Sequence, residues 1–304
     1  MPAYFAILER IDGSNYIANY TPIYPAFVTN VFGRNPVKII DHKLQPGWHK
    51  PSPNHGGPLD GPTLLVMHYT VSGAGAKGVA DYFASPAANA SAHIVVGRDG
   101  DIRQVVPFNV KAWHAGKSVW RGRSNCNDYS IGIEIDNWGR LMRTADGQVR
   151  SATGKIVDPG QAVELTHRNE SKPALWEVYG ETQMKALVEV TRLILAAYPT
   201  ITEIVGHDDI APLRKSDPGP AFPMGRFTSL VGGRGDASVL TRKVIASRLN
   251  ARGGPGLEFD KLGVFVSGSV VEVVYDSPGP WAQVRGVIEG GGEVVAWVSD
   301  QFLA

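Results

Sequence analysis

Three short stretches constrain this chain most, because each is apolar enough to be buried and each runs into polar chemistry. Thr63-Leu64-Leu65-Val66-Met67 is a continuous apolar run, the pattern of a buried strand, and it ends on His68-Tyr69-Thr70. Ile131-Gly132-Ile133-Glu134-Ile135-Asp136 alternates strictly, so the isoleucines share one strand face and Gly132, Glu134 and Asp136 the other. Strands disfavour carboxylates and a buried, unpaired one is costly, so Glu134 has a task or an exposed face. Ile201 to Val205 is a third strand, delivering His207 to its end. His68, Glu134 and His207 thus fall at the rims of one sheet.

The stretch from Val205 to Pro220 packs an imidazole, an ammonium and several carboxylates into a loop stiffened by Pro212, Pro218 and Pro220. So much charge cannot be buried cheaply, so the loop faces water, a ligand or a metal. If it doubles back, His207 and Asp217 converge on one ion with Lys215 beside them. A salt-bridged surface turn is the plainer reading of the loop alone.

Length and composition set the class. The 304 residues suffice for two domains, and 43% hydrophobic with 19% charged residues is ordinary globular usage. A formal charge of +1 suggests neither nucleic acid nor an acidic surface as partner. The single cysteine, Cys126, excludes an intrachain disulfide. No secretory signal and no membrane span is read, so the protein is expected to be made in the cytoplasm and to reach a cell wall or periplasm by release or export.

Residues 1–62 read as an irregular arm with scattered aromatics (Tyr16, Tyr20, Tyr24, Phe27, Phe32) and three histidines. A second metal site from His42, His49 and His55 is weighed against the plainer reading of solvated loop histidines, which is preferred. A helix is expected over residues 75–84, and a hairpin over 92–96 and 102–106, turning at Asp99-Gly100. Residues 140–178 show little periodicity and read as a long excursion, a lid or substrate wall. Residues 180–198 form the clearest helix, with Met184, Leu187, Val188, Thr191 and Leu195 on one face and Pro199 as its stop. Residues 229–241 read as a linker. Its Arg234-Gly235-Asp236 is taken as a chance tripeptide. Short strands at regular spacing across 242–304 suggest a small all-β barrel.

Two imidazoles and a carboxylate with a fourth position open make a catalytic zinc set: His68, His207 and Asp217. Glu134 is then free to take a proton from water, and Lys215 to face a developing oxyanion. Such a set suffices for amide hydrolysis.

His68-Tyr69-Thr70, Ser91-Ala92-His93, Arg98-Asp99-Gly100, Ala112-Trp113-His114-Ala115-Gly116, Ile131-Gly132-Ile133-Glu134 and Gly206 to Pro212 with Lys215 to Pro220 resemble, in order and spacing, the motifs of the zinc-dependent N-acetylmuramoyl-L-alanine amidases. The resemblance is to the amidase-2, AmpD-like branch, related to peptidoglycan recognition proteins, and covers about residues 60–228. It implies an α/β fold, a mixed central β-sheet flanked by helices, within a catalytic domain at 63–228. It implies one zinc ion on His68, His207 and Asp217, Glu134 as the catalytic acidic residue, and Lys215 steadying the transition state. It places His114, Trp113 and His93 at the substrate groove, although His93, on a hairpin strand, reads equally well as a packed core residue. The implied substrate is peptidoglycan or its muropeptides, cut between N-acetylmuramic acid and L-alanine. Where some relatives carry a tyrosine before the histidine at 93, this chain has Ala92, which puts more weight on Glu134. Residues 240–304 resemble a bacterial Src-homology-3-like domain through Ala246 to Gly256, Trp281 to Val284 and Ala296 to Val298. Two other functions stay open: a non-catalytic peptidoglycan-binding module, and a zinc peptidase cutting within the stem peptide. A phage lysin, an exported effector and a recycling enzyme are the settings considered, with the added wall-binding-like domain weighing mildly against recycling.

Overall fold

The computed structural model describes residues 8–11, 15–18, 37–232, 241–275 and 280–304. The chain divides into two compact units, residues 1–139 with 179–219, and residues 140–178 with 220–304.

The first unit is built on a six-stranded sheet in the order Glu203–Gly206, Leu64–Tyr69, Ser130–Ile135, Ile94–Val96, Ile102–Gln104, Trp48–His49. The first four strands are parallel, Ile102–Gln104 is antiparallel to Ile94–Val96, and Trp48–His49 is parallel to Ile102–Gln104. The sheet is mixed, as expected. Leu64, Leu65, Val66, Met67, Ile131, Ile133 and Ile135 are all buried. A strand covered on both faces must be apolar throughout, which is why Leu64 to Met67 reads as an unbroken run.

Register places the chemistry. His68 pairs with Glu134, and Glu134 with Val95 on its other side. Paired residues on neighbouring strands project to the same face, so the imidazole and the carboxyl stand side by side. On that face the Gly75–Phe83 helix buries Ala76, Val79, Ala80 and Phe83 against Ala92, Val95 and Val105. The second helix, Glu181–Ala197, buries Gln183, Ala186, Leu187, Val190, Thr191 and Ile194, an i, i+3, i+4 stripe. This stripe is rotated from the expected one: Gln183 is inside, while Met184 and Leu195 are only half-buried. The reason is polar, because Gln183 donates to the carbonyls of Val96 and Asp136.

The arm is less irregular than its sequence suggests. Trp48–His49 adds the sixth strand of the sheet, and His55–Pro58 pairs with Val110–Ala112. His42, His49 and His55 do not converge: they contact Tyr198 Oη, the Leu44 carbonyl and the Gly56 carbonyl respectively. Tyr16 lies on the Asn15–Ala18 strand; Tyr20, Tyr24, Phe27, Phe32 and the Arg234-Gly235-Asp236 tripeptide lie outside the described residues.

In the second unit, residues 140–178 are not a structureless excursion but a five-stranded antiparallel sheet. Its anchor is Trp176, 1% exposed, whose Nε1 donates to the Leu165 carbonyl while Arg140 lies over its ring. Six strands, from Thr241–Lys243 to Glu293–Ser299, form an antiparallel sheet whose core includes Leu249, Phe265, Val273, Val284 and Val298. No helix among the described residues is long and apolar enough to cross a membrane.

Candidate metal centre and its surroundings

The loop after Gly206 doubles back. His207 opens a single helical turn, His207–Ile210, and the Asp208 amide donates to the Asp217 carbonyl at 2.8 Å. The Asp209 carboxylate accepts from the Gly206 amide, Tyr179 Oη donates to the Pro218 carbonyl, and Tyr69 Oη meets Ser216 Oγ at 2.8 Å. A Cβ at Gly206 would lie 2.2 Å from Asp208 Oδ1 and 2.7 Å from Pro218 Cδ, so the closed loop requires glycine there.

The closure brings three donor atoms to one point. His68 Nδ1 lies 2.9 Å from His207 Nδ1 and 3.0 Å from Asp217 Oδ2, and His207 Nδ1 lies 2.9 Å from that oxygen. All three residues are buried, and they are the one group among the described residues placed to hold a metal ion. His207 Nε2 faces the Ala115 carbonyl at 3.1 Å, which can only accept, so an N–H stands at Nε2. With Nδ1 unprotonated, its lone pair points at the Asp217 carboxylate oxygen, a repulsive contact that a cation turns favourable. The donor set is that of an open zinc site. Burial, reinforced by His207, pulls His68 from 6.5 down to about 4, so its ring is neutral at pH 7 and able to ligate.

Glu134 stands beside this set. Its Oε2 is buried without a hydrogen-bond partner. Burial, then repulsion from Asp217, pushes its carboxyl from 4.5 up to about 8, with the Lys215 charge acting in the opposite sense. Glu134 and Lys215 line one cavity of about 330 Å³ together with His68, His207 and Asp217. Trp113, 40% exposed, forms part of its wall.

The other two histidines are held by the protein. His93, open between a groove residue and a packed one from sequence, is packed: it is 0% exposed and does not line the cavity. Its Nε2 donates to the Val110 carbonyl and its Nδ1 accepts from the Gly132 amide, so the ring pins a hairpin strand to the central sheet. Burial lowers it to about 4. His114 reaches the cavity floor at 8% exposure, but both nitrogens are engaged by protein, Nδ1 with His68 Nε2 at 2.9 Å and Nε2 with Ser130 Oγ at 3.2 Å. Its hydrogen-bonding capacity is spent within the fold. Gly132 makes the seat: a Cβ there would lie 2.4 Å from His114 Cγ.

Two residues of the site were not singled out from sequence. Arg214 lines the cavity and donates to the carbonyls of Ala115 and Lys117, tying the His207 loop to the Trp113-His114 loop. Its place beside Lys215 was the available signal. Ser130 offers none, because a serine opening an apolar strand looks like a boundary residue.

Two stretches of the chain match known families. Residues 58–220 match the N-acetylmuramoyl-L-alanine amidase family, and residues 247–304 match the bacterial SH3 domain family. The chain is 34% identical over 220 residues to the 1,6-anhydro-N-acetylmuramyl-L-alanine amidase AmpD of Enterobacter cloacae, covering 64% of this chain and 98% of that protein. Against AmpD of Escherichia coli K12 the identity is 34% over 212 residues, 62% of this chain and 96% of the relative. Against the N-acetylmuramoyl-L-alanine amidase AmiD of the same strain it is 35% over 173 residues, 53% of this chain and 50% of the relative. With more than half its length matched by the family and its site assembled as described, the chain belongs to the N-acetylmuramoyl-L-alanine amidase family.

Proposed function

We propose that the protein hydrolyses the amide bond between N-acetylmuramic acid and L-alanine in peptidoglycan or its muropeptides, using one zinc ion held by His68, His207 and Asp217. The observation that carries this reading is the meeting of three ligand atoms within 3.0 Å beside Glu134, whose buried Oε2 has no hydrogen-bond partner. Zinc, when bound, polarises the scissile carbonyl and lowers the pKa of water toward ~7.

The chain's own residues supply the rest. Asp217 brings one negative charge and the two imidazoles none, so the set leaves a bound dication net positive toward substrate. Glu134, anionic for the hydrolytic step, takes the proton of the attacking water and returns it to the leaving L-alanine nitrogen. The Lys215 ammonium sits where it counters negative charge developing on the carbonyl oxygen. Trp113 offers an apolar wall against which a sugar or peptide face packs. The Arg98–Asp136 pair holds the strand end beside Glu134, with Asp136 also accepting from the Gly75 amide at 3.1 Å.

Glu134→Gln tests the division of labour. It keeps the side chain's volume and removes the basic oxygen, so zinc content is expected to stay at the wild-type level while turnover falls by about 10²–10⁴-fold. Full turnover in this variant would remove Glu134 as the proton carrier.

A further inference from the structure

Four groups form a hydrogen-bonded line from a backbone carbonyl to the metal centre, and only one placement of protons satisfies it. Ser130 Oγ lies 2.6 Å from the Cys126 carbonyl and 3.2 Å from His114 Nε2. His114 Nδ1 lies 2.9 Å from His68 Nε2. The carbonyl can only accept, and a hydroxyl has one proton, so the shorter contact takes it. Ser130 Oγ must then accept from His114, which puts the His114 proton on Nε2. A neutral imidazole has one N–H, so His114 Nδ1 is an acceptor and His68 Nε2 is its donor. His68 Nδ1 is left as a bare lone pair, and it faces His207 Nδ1 and Asp217 Oδ2.

We propose that His114 is a positioning residue: locked in one tautomer by Ser130, it fixes the proton of His68 on Nε2 and so keeps Nδ1 available as a metal ligand. This rests on the reading of His68 as a ligand. It replaces substrate contact as the role of His114. Cys126 and Ser130 are 0% exposed, His68 1% and His114 8%, so bulk water does not compete for the line. Gly132 seats the His114 ring with no room for a Cβ. The reversed placement would turn His68 Nδ1–H toward the other two donor atoms and block the centre. Partners beyond the first ligands commonly govern metal affinity by 10–100-fold.

The test uses the full chain and zinc itself, with affinity read by competition against a chromophoric chelator. Ser130→Ala frees the His114 tautomer and is expected to weaken zinc binding about tenfold. His114→Leu removes the acceptor and weakens it at least as much. His114→Asn places an amide oxygen near the former Nδ1 and is expected to recover most of the affinity. In that background Ser130→Ala adds no further loss, because the amide oxygen has no tautomer to fix. Unchanged affinity in Ser130→Ala, or additive losses for Ser130→Ala and His114→Asn, would overturn the proposal. Imidazole ¹⁵N spectra of the wild-type zinc-loaded protein avoid any folding defect: His114 protonated on Nε2 supports the line, and on Nδ1 refutes it. A wild type with this tautomer and tight zinc that cleaves no muropeptide would sink the amidase reading while supporting the line. Normal cleavage with unchanged zinc affinity in Ser130→Ala would do the reverse.

Discussion

Glu134 shows how a functional residue works against the fold that holds it. In the unfolded chain its carboxyl ionises near 4.5, and in the metal-free fold near 8. Ionisation therefore favours the unfolded chain, and the penalty grows as pH rises from about 4.5 to 8. Glu134→Gln is expected to stabilise the metal-free protein at pH 7 by about 1–3 kcal/mol, after allowing for partial solvent contact. The gain should shrink as pH falls toward 4.5 and vanish below it, where the wild-type carboxyl is protonated in both states. Denaturant unfolding of both proteins at the two pH values measures it; equal stability at pH 7 would mean Glu134 carries no such penalty. The ligand residues were legible in sequence because their chemistry is compressed into short motifs. The Ser130–His114 line was not, because it depends on which nitrogen faces which neighbour, and that is fixed only by register and packing.

At the level of elements, the two-sided burial of the central strands made them readable, and their register put His68 beside Glu134 as rim positions suggested. The five strands within residues 140–178 escaped because they are two to five residues long and carry polar side chains on their open faces. Asp146-Gly147, between the first two, was the missed hairpin signal. His93 on its hairpin strand could be placed only by packing, and its burial has a measurable consequence. The unfolded chain binds this proton near 6.5 and the fold near 4, so stability is lost as pH falls through that window. At pH 5 the loss from one such histidine is about 2 kcal/mol relative to pH 7. Urea unfolding of the chelator-treated protein at both values checks this, and a stability independent of pH would contradict a neutral, buried His93.

At the scale of the whole molecule, residues 140–178 group with the C-terminal sheet rather than with the sheet that carries the metal centre. Trp297, 1% exposed, donates to the Gly160 carbonyl at 3.2 Å, and a Cβ on Gly160 would lie 2.5 Å from the Gly253 carbonyl oxygen. Gly160→Ala is therefore expected to destabilise this unit by about 1–3 kcal/mol through backbone displacement. Thermal unfolding would show a lowered Tm, and an unshifted Tm would mean that the contact yields without cost. The catalytic claim concerns the other unit and is tested by mass spectrometry of defined muropeptides incubated with the full chain, with and without a chelator. The account predicts free stem peptide and intact glycan, with release abolished by the chelator and restored by zinc. Intact substrate in the presence of bound zinc, or cleavage within the peptide, would contradict it.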